Sequence, residues 1–511
     1  MELFADSLAI LWRLDVLMAL IVGSVGGVVI GAIPGVGPAV AIAILLPATF
    51  SLEPIVGLTA LLGIYGSSMY GGAIPAILIN TPGTAVNALT TYEGTPMTAR
   101  GEGRRALALA YSASFFGGVF SIACLMLFAP LLARIAPHFG SREIFLAALL
   151  GLVLVVVAHR GRVMAAGMMA SLGVFLNTVG LEPIQYSQRF TFGQGWLSGG
   201  INLIVVVLGL FAISQAFILL RSDHDGDRPT AAGNGMSGAK SSAKTGAKTG
   251  GLYSGFRELL RHKRVAGTSS AIGVSMGMIP GVGEFTAQFL SYTLARRQSS
   301  EPESFGNGSP EGLVASEAAN NAVPAAAMIP LLALGIPGEA LTAMMLSVLY
   351  VHNVVPGPQL FQGQMDFVIA LYLALLILNI MVLVFLLVST DLLLRLLAIP
   401  KRFLGVTILA LSFVGVYSLR NSATDCAIGA VFGLVGYVLK RVDVPIVPII
   451  LGMVLGGIME AKLRTSMMRV DTPLDFINRP IAFILFVAIL VVLASQINNA
   501  VRDHAKSGGQ R

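Results

Sequence analysis

The sequence predicts an all-α polytopic membrane protein, and three observations carry that prediction. Only 12% of its 511 residues are charged and 55% are hydrophobic, about half the charge expected of a soluble domain. Apolar runs recur along the chain, the clearest at 15–33, 106–133, 143–158, 163–180, 197–220, 366–397, 403–420, 423–439, 444–460 and 481–499. A helix needs roughly 20 residues to cross a hydrocarbon core of about 30 Å, and most of these runs approach or exceed that. They are also continuous and not alternating, which argues against a closed barrel.

Such sparse charge excludes an ordinary cytosolic enzyme, a nucleic-acid-binding protein and a disulfide-stapled secreted domain. The chain's solvent is expected to be the lipid bilayer, where charge is costly. Cys124 and Cys426 both sit in apolar stretches, so no disulfide framework or zinc site is available. The net charge of +7 reads as cytoplasmic loop charge. The 15–33 span lacks a basic n-region and a small-residue cleavage site, so it is expected to be retained.

Taken in order, residues 1–221 form a first half, with a broken-helix segment at about 15–94 and scaffold helices at about 106–220. Residues 222–264 carry Asp223, Asp225 and Asp227, then a Gly/Ser/Ala/Lys stretch, and are expected to be a flexible cytoplasmic linker. A second half follows at 265–460, broken at about 265–357 and continuous at about 366–460, and 461–511 form a C-terminal helix and tail.

The halves repeat. GVVIGAIPGVG at 27–37 and GVSMGMIPGVG at 273–283 share Gly27/Gly273, Gly31/Gly277 and the run Ile33–Gly37/Ile279–Gly283, at a constant offset of 246. A second correspondence at offset 255 pairs Pro75/Pro330, Pro82/Pro337, Gly83/Gly338, Ala85/Ala340 and Ala88/Ala343. Loop charge orients each half. Arg100, Arg104 and Arg105, the His159–Arg162 loop and the 222–264 segment share one side of the first half. Lys401–Arg402, Lys440–Arg441 and the C-terminal Arg502 and Lys506 share one side of the second. The positive-inside rule then gives the halves opposite topologies, although Lys462, Arg464, Arg469 and Arg479 fall on the wrong side.

Inverted repeats with broken helices are a secondary-transporter architecture. Pro34-Gly35-Val36-Gly37 and Pro280-Gly281-Val282-Gly283 interrupt apolar helices, because Pro lacks a backbone donor and Gly admits positive φ. Asn80-Thr81-Pro82-Gly83-Thr84, with Asn87 beyond it, and Gly335-Ile336-Pro337-Gly338-Glu339 form the second pair of breaks. A helix starting just after such a break aims free N–H groups at it, which suits a carboxylate. The backbone carbonyls there, and the side chains of Asn80, Thr81 and Asn87, suit a carboxylate, a Na⁺ or both. The candidate substrate site is therefore Gly35, Val36, Gly37, Asn80, Thr81, Pro82, Gly83, Thr84, Asn87, Gly281, Val282, Gly283, Gly335, Pro337, Gly338 and Glu339. Ser67, Ser68, Glu284, Asn320 and Asn321 are candidates for coupling an ion, each also explicable as an ordinary helix contact or interfacial group. The glycines at every fourth position from Gly23 to Gly35 and from Gly273 to Gly281 are better explained by close helix packing. No G-x-x-x-x-G-K-[ST], H-E-x-x-H or G-x-S-x-G motif occurs, so ATPase, protease and lipase chemistry lack support. No metal cluster or other cofactor is expected beyond a possible coupling Na⁺.

The segments GAIPGVGP (31–38), YGGAIPAILINTPGTAVNALTTYEG (70–94) and IPLLALGIPGEALTAMML (329–346) resemble the large membrane subunit of bacterial tripartite tricarboxylate transporters, and the resemblance runs from about residue 10 to 480. It implies a multi-pass carrier of the bacterial cytoplasmic membrane that imports citrate or related carboxylates on an ion gradient. Its implied partners are a small membrane subunit of about four helices and a periplasmic substrate-binding protein. Within that frame the broken segments are expected to form a mobile unit on a fixed scaffold, an elevator, in which a homodimer is compatible with a large scaffold face. The alternative is a channel-like or passive scaffold subunit for a small anion.

Overall fold

The computed structural model describes residues 2–159, 161–182, 186–222, 252–396, 400–468 and 472–508. Among these the chain is helical nearly throughout, apart from a two-stranded ribbon pairing Gly180–Leu181 with Gln188–Arg189. Eight described helices are long and apolar enough to cross a membrane. Two of them, Leu14–Ala32 and Pro54–Ile79, lie inside the first broken segment, the second with no counterpart among the expected spans, whereas the expected 163–180 span is a shorter helix, Val163–Asn177.

The helices are α1 Glu2–Leu11, α2 Leu14–Ala32, α3 Gly37–Thr49, α4 Pro54–Ile79, α5 Ala88–Ala99, α6 Gly103–Ile135, α7 Ser141–Ala158 and α8 Val163–Asn177. A further apolar span comprises α9 Leu203–Val207, a π-helical turn at Leu208–Ile213 and α10 Ser214–Ser222. The second half holds α11 Leu252–Arg261, α12 Lys263–Met278, α13 Gly283–Gln298, α14 Pro310–Leu334, α15 Ala340–Val351 and the short α16 Pro358–Gly363. It continues with α17 Met365–Leu396, α18 Lys401–Arg420, α19 Ala423–Arg441, α20 Val447–Met467 and α21 Pro480–Gly508.

Two helices form the centre. Every residue of α14 from Gly312 to Ala333 is buried, and α4 is buried over most of its length. A helix apolar on all sides belongs in a core, and α2 and α12 close over these two through their glycine faces. A Cβ on Gly31 would lie 2.1 Å from the Ser68 carbonyl oxygen of α4, and one on Gly273 would lie 2.5 Å from the Ala319 carbonyl of α14. For Gly23, Gly27 and Gly31, and for Gly273 and Gly277, the four-residue spacing is therefore a packing surface, whereas Gly35 and Gly281 lie beyond the helix ends in the breaks. At the periphery α18 and α19 leave Phe403, Val406, Val414, Val431 and Leu434 exposed, the arrangement expected of helices that face lipid.

Residues 223–251 of the expected linker lie outside the described residues. Its end departs from a flexible tether: α11 is a strongly amphipathic helix packed on α6, where Phe256 meets Phe115 edge-on at 5.7 Å and Arg105 pairs with Glu258 at 2.5 Å. Some basic residues that opposed the orientation rule have local work. Arg464 pairs with the buried Glu182 and with Glu460, each at 3.1 Å, and Arg479 lies 3.8 Å from the buried Glu143. Arg469 lies outside the described residues.

Candidate functional site

The breaks fall where the motifs put them and have matched local geometry. α2 ends at Ala32 and α3 starts at Gly37; α12 ends at Met278 and α13 starts at Gly283. Gly35 and Gly281 take φ of +87° and +82°, a region that side chains rarely enter. At the second pair of breaks, Asn80 and Gly335 end α4 and α14 in the left-handed conformation. The next amides, of Thr81 and Ile336, donate back to the Pro75 and Pro330 carbonyls at 3.2 and 3.3 Å, a glycine-type helix stop that Asn also tolerates. The breaks are then tied in pairs: Gly35 N–H donates to the Gly83 carbonyl at 3.4 Å, and Gly281 N–H to the Gly338 carbonyl at 2.5 Å.

Beside these ties lies an open cavity of 590 Å³ lined by Gly35, Val36, Gly37, Pro82, Gly83, Thr84, Gly281, Gly283, Glu284 and Glu339 among others. Met69 of α4, His159 at the end of α7, Phe211 of the π-helical turn and Val447 of α20 complete the wall. The first residues of α3, α13 and α15 (Gly37, Gly283 and Ala340) all face it, so three helix N-termini converge there. Each brings the positive end of a helix dipole, and the starts of α3 and α13, which lack a side-chain cap, bring unpaired N–H groups.

The cavity also carries acid. The Tyr65 hydroxyl, on the buried α4, contacts Glu284 at 2.9 Å and Glu339 at closer range. Glu339 caps α15 through a box with Thr342. At the position matching Glu339, Thr84 donates to Asn87 Oδ1 at 2.5 Å. Among the described lining residues His159 is the one basic side chain. Lys440 reaches the neighbourhood from α19, 3.4 Å from both the Phe211 carbonyl and Gln215 Oε1.

Not every expected residue lines this space. Asn80 is exposed, with its Oδ1 accepting from Thr95 at 3.3 Å, and the Thr81 hydroxyl donates to the Ile79 carbonyl at 3.3 Å. Val282, Gly335, Pro337 and Gly338 form the breaks without facing the cavity. Asn87 lies behind the wall, its amide 3.3 Å from the Met69 carbonyl and 3.4 Å from Glu317. Ser67 and Ser68 bond the Gly23 and Tyr65 carbonyls at 3.4 and 2.9 Å. Asn321 bonds the Glu317 carbonyl at 3.2 Å, and Asn320 is fully buried. Tyr65, Met69, His159, Phe211 and Val447 were not selected from sequence. Tyr65 and Met69 flank the selected Ser67 and Ser68 in the segment 65–70, but nothing local signals that the other three converge.

Eight described helices long and apolar enough to cross a membrane, with paired helix breaks beside a cavity, make this an all-α polytopic membrane protein. Residues 17–451 match the Tripartite tricarboxylate transporter TctA family, and the chain belongs to that family. It is 33% identical over 484 residues, 94% of this chain and 93% of the other, to an Agrobacterium vitis protein described as an uncharacterized 52.8 kDa protein in the TAR-I ttuC′ 3′ region. A second A. vitis protein, from the TAR-II ttuC′ 3′ region, is 34% identical over 212 residues, covering 41% of this chain and 87% of that protein. No solved structure matches the chain. Family membership makes this a transporter subunit and not an enzyme, and one that functions with other subunits.

Proposed function

We propose that the chain is the large transmembrane subunit of a binding-protein-dependent secondary transporter that imports citrate-like tricarboxylates or related carboxylates across the bacterial cytoplasmic membrane. The carrying observation is the 590 Å³ cavity between the tied breaks, onto which three helix N-termini converge. Its size suits a small organic ligand, and its backbone donors suit carboxylate oxygens.

The two glutamates set the coupling. An anion beside Glu284 and Glu339 meets like charge, which a proton or cation entering with it relieves. Tyr65 touches both carboxyl groups, so a residue of the first half and two acids of the second form one cluster beside the cavity. This arrangement supports symport driven by a Na⁺ or H⁺ gradient.

The matched breaks, offsets and helix order support two inverted repeats, with residues 1–221 and 265–460 as the halves. In this reading α2–α5 and α12–α15 move as one unit against α6–α10 and α17–α20. The cavity wall draws on both sets: the breaks belong to the first, and His159, Phe211 and Val447 to the second. A small membrane subunit and a periplasmic binding protein complete the system, and the scaffold face provides for a homodimer.

The test is uptake of labelled citrate into proteoliposomes holding this chain and its small membrane partner, with and without the binding protein, under an imposed Na⁺ or pH gradient. Saturable uptake that needs the binding protein and one gradient is expected. Non-saturating, gradient-independent flux would establish the channel alternative instead.

A further inference from the structure

Behind the cavity wall lies a buried carboxylate with no basic partner. Glu317, on α14, has 0% exposure and no ion pair with any described Lys, Arg or His. Its oxygens accept from Thr90 Oγ1 at 2.5 Å, Ser114 Oγ at 2.9 Å and Asn87 Nδ2 at 3.4 Å. A buried, unpaired carboxylate costs several kcal/mol, and neutral donors offset only part of that cost.

A second, independent observation is a pair of fully buried side-chain amides whose oxygens have no partner. Gln288 of α13 places Nε2 3.5 Å from both Thr90 Oγ1 and the Ser316 carbonyl, while its Oε1 has no hydrogen-bond partner. Neither atom of the Asn320 amide has one, and Asn320 stands three residues beyond Glu317, on the adjoining face of the same helix. The 255-residue offset that aligns the breaks also aligns Asn320 with Tyr65, the residue that bridges two glutamates beside the other break. Buried amides at native density normally find partners.

We infer that Glu317, Thr90, Ser114, Gln288 and Asn320 hold a desolvated monovalent cation of the Na⁺ class. Hard cations take oxygen ligands, and one carboxylate, two hydroxyls and two amide oxygens supply five. The single carboxylate balances a single positive charge. Among the described residues no group of three or more His, Cys, Asp or Glu is placed to hold a metal ion, which disfavours a divalent cation. The route to the cavity is short: Thr84 lines the cavity and bonds Asn87, and Asn87 bonds Glu317. Substrate at Thr84 and cation at Glu317 thus bear on the same asparagine.

The inference deepens the carrier reading, but its test measures cation binding alone, so failure of citrate uptake has no bearing on it. Purified protein is titrated with NaCl against KCl and N-methylglucamine chloride at matched ionic strength, with the unfolding midpoint as readout. A saturable, Na⁺-selective rise is expected, abolished in Glu317→Gln and weakened at least tenfold in concentration dependence in Asn320→Ala. Equilibrium ²²Na⁺ binding to the wild-type chain and to Asn320→Ala covers the case where Glu317→Gln does not fold. No ²²Na⁺ binding, a shift shared equally by all three salts, a Na⁺ response that survives Glu317→Gln, or stabilisation that follows pH but not Na⁺ would each overturn the assignment.

Discussion

At the scale of single residues, the site depends on groups far apart in sequence. Tyr65 meets Glu284 and Glu339 across separations of 219 and 274 residues. Hydrogen bonds to charged groups are worth about 1.5–3 kcal/mol, and about 1.4 kcal/mol corresponds to a tenfold effect. Tyr65→Phe is therefore expected to lower uptake at least tenfold while leaving membrane insertion intact, as read by transport kinetics alongside detergent-extracted yield. Thr81→Ala is expected to change uptake less than twofold, because that hydroxyl bonds its own helix end and faces away from the cavity. Of the break residues chosen from sequence, Gly35, Gly37, Pro82, Gly83, Gly281 and Gly283 line the cavity, whereas Val282, Gly335, Pro337 and Gly338 do not. Pro and Gly act locally, so their consequence can be read locally. Asn80 and Thr81 looked equivalent to Thr84 and Asn87, yet the left-handed turn at Asn80 sends the first pair outward. A one-dimensional pattern cannot show that direction.

At the scale of elements, the repeated breaks share a conformation but not a neighbourhood. A Cβ on Gly281 would lie 2.3 Å from Val155 Cγ2, whereas one on Gly35 would have Gln215 Nε2 at 3.4 Å as its nearest neighbour. Both substitutions to Ala incur the cost of positive φ, about 1–2 kcal/mol, and Gly281→Ala adds overpacking of about 1–3 kcal/mol. Gly281→Ala should thus lower the unfolding midpoint of purified protein more than Gly35→Ala; equal shifts would show that the α7 contact yields without cost. The helix-packing role of the glycine rows was legible because a four-residue spacing fixes one face. The π-helical turn at Leu208–Ile213 was not, since the 197–220 run is uniformly apolar and gives no sign of a changed hydrogen-bond register. Nor did the composition of 222–264 distinguish the amphipathic α11 from the Lys-rich stretch before it, because its few apolar residues acquire meaning only against α6.

At the scale of the whole molecule, the membrane class was legible from sparse charge together with recurring continuous apolar runs, and the positions of the helix breaks from the Pro-Gly motifs. How the two sets meet was not, because His159, Phe211 and Val447 come from spans whose sequences read as featureless scaffold. If the broken-helix unit moves against that scaffold, contacts such as the one between Gly151 of α7 and Pro280 must part. A Cβ on Gly151 would lie 3.4 Å from Pro280 Cβ, close to disulfide spacing. In a background lacking Cys124 and Cys426, oxidising a Gly151→Cys/Pro280→Cys variant should arrest uptake and reduction should restore it. Full transport by the cross-linked protein would exclude relative motion at this contact.

The most direct measurement is substrate protection of single cysteines in the same background. Ala39→Cys and Val86→Cys place thiols on the cavity wall, and Ser275→Cys places one on an exposed groove of α12 away from it. Citrate is expected to slow maleimide labelling of the first two in a concentration-dependent manner and to leave the third unchanged. Equal labelling rates at all three positions with and without citrate would contradict carboxylate binding between the breaks.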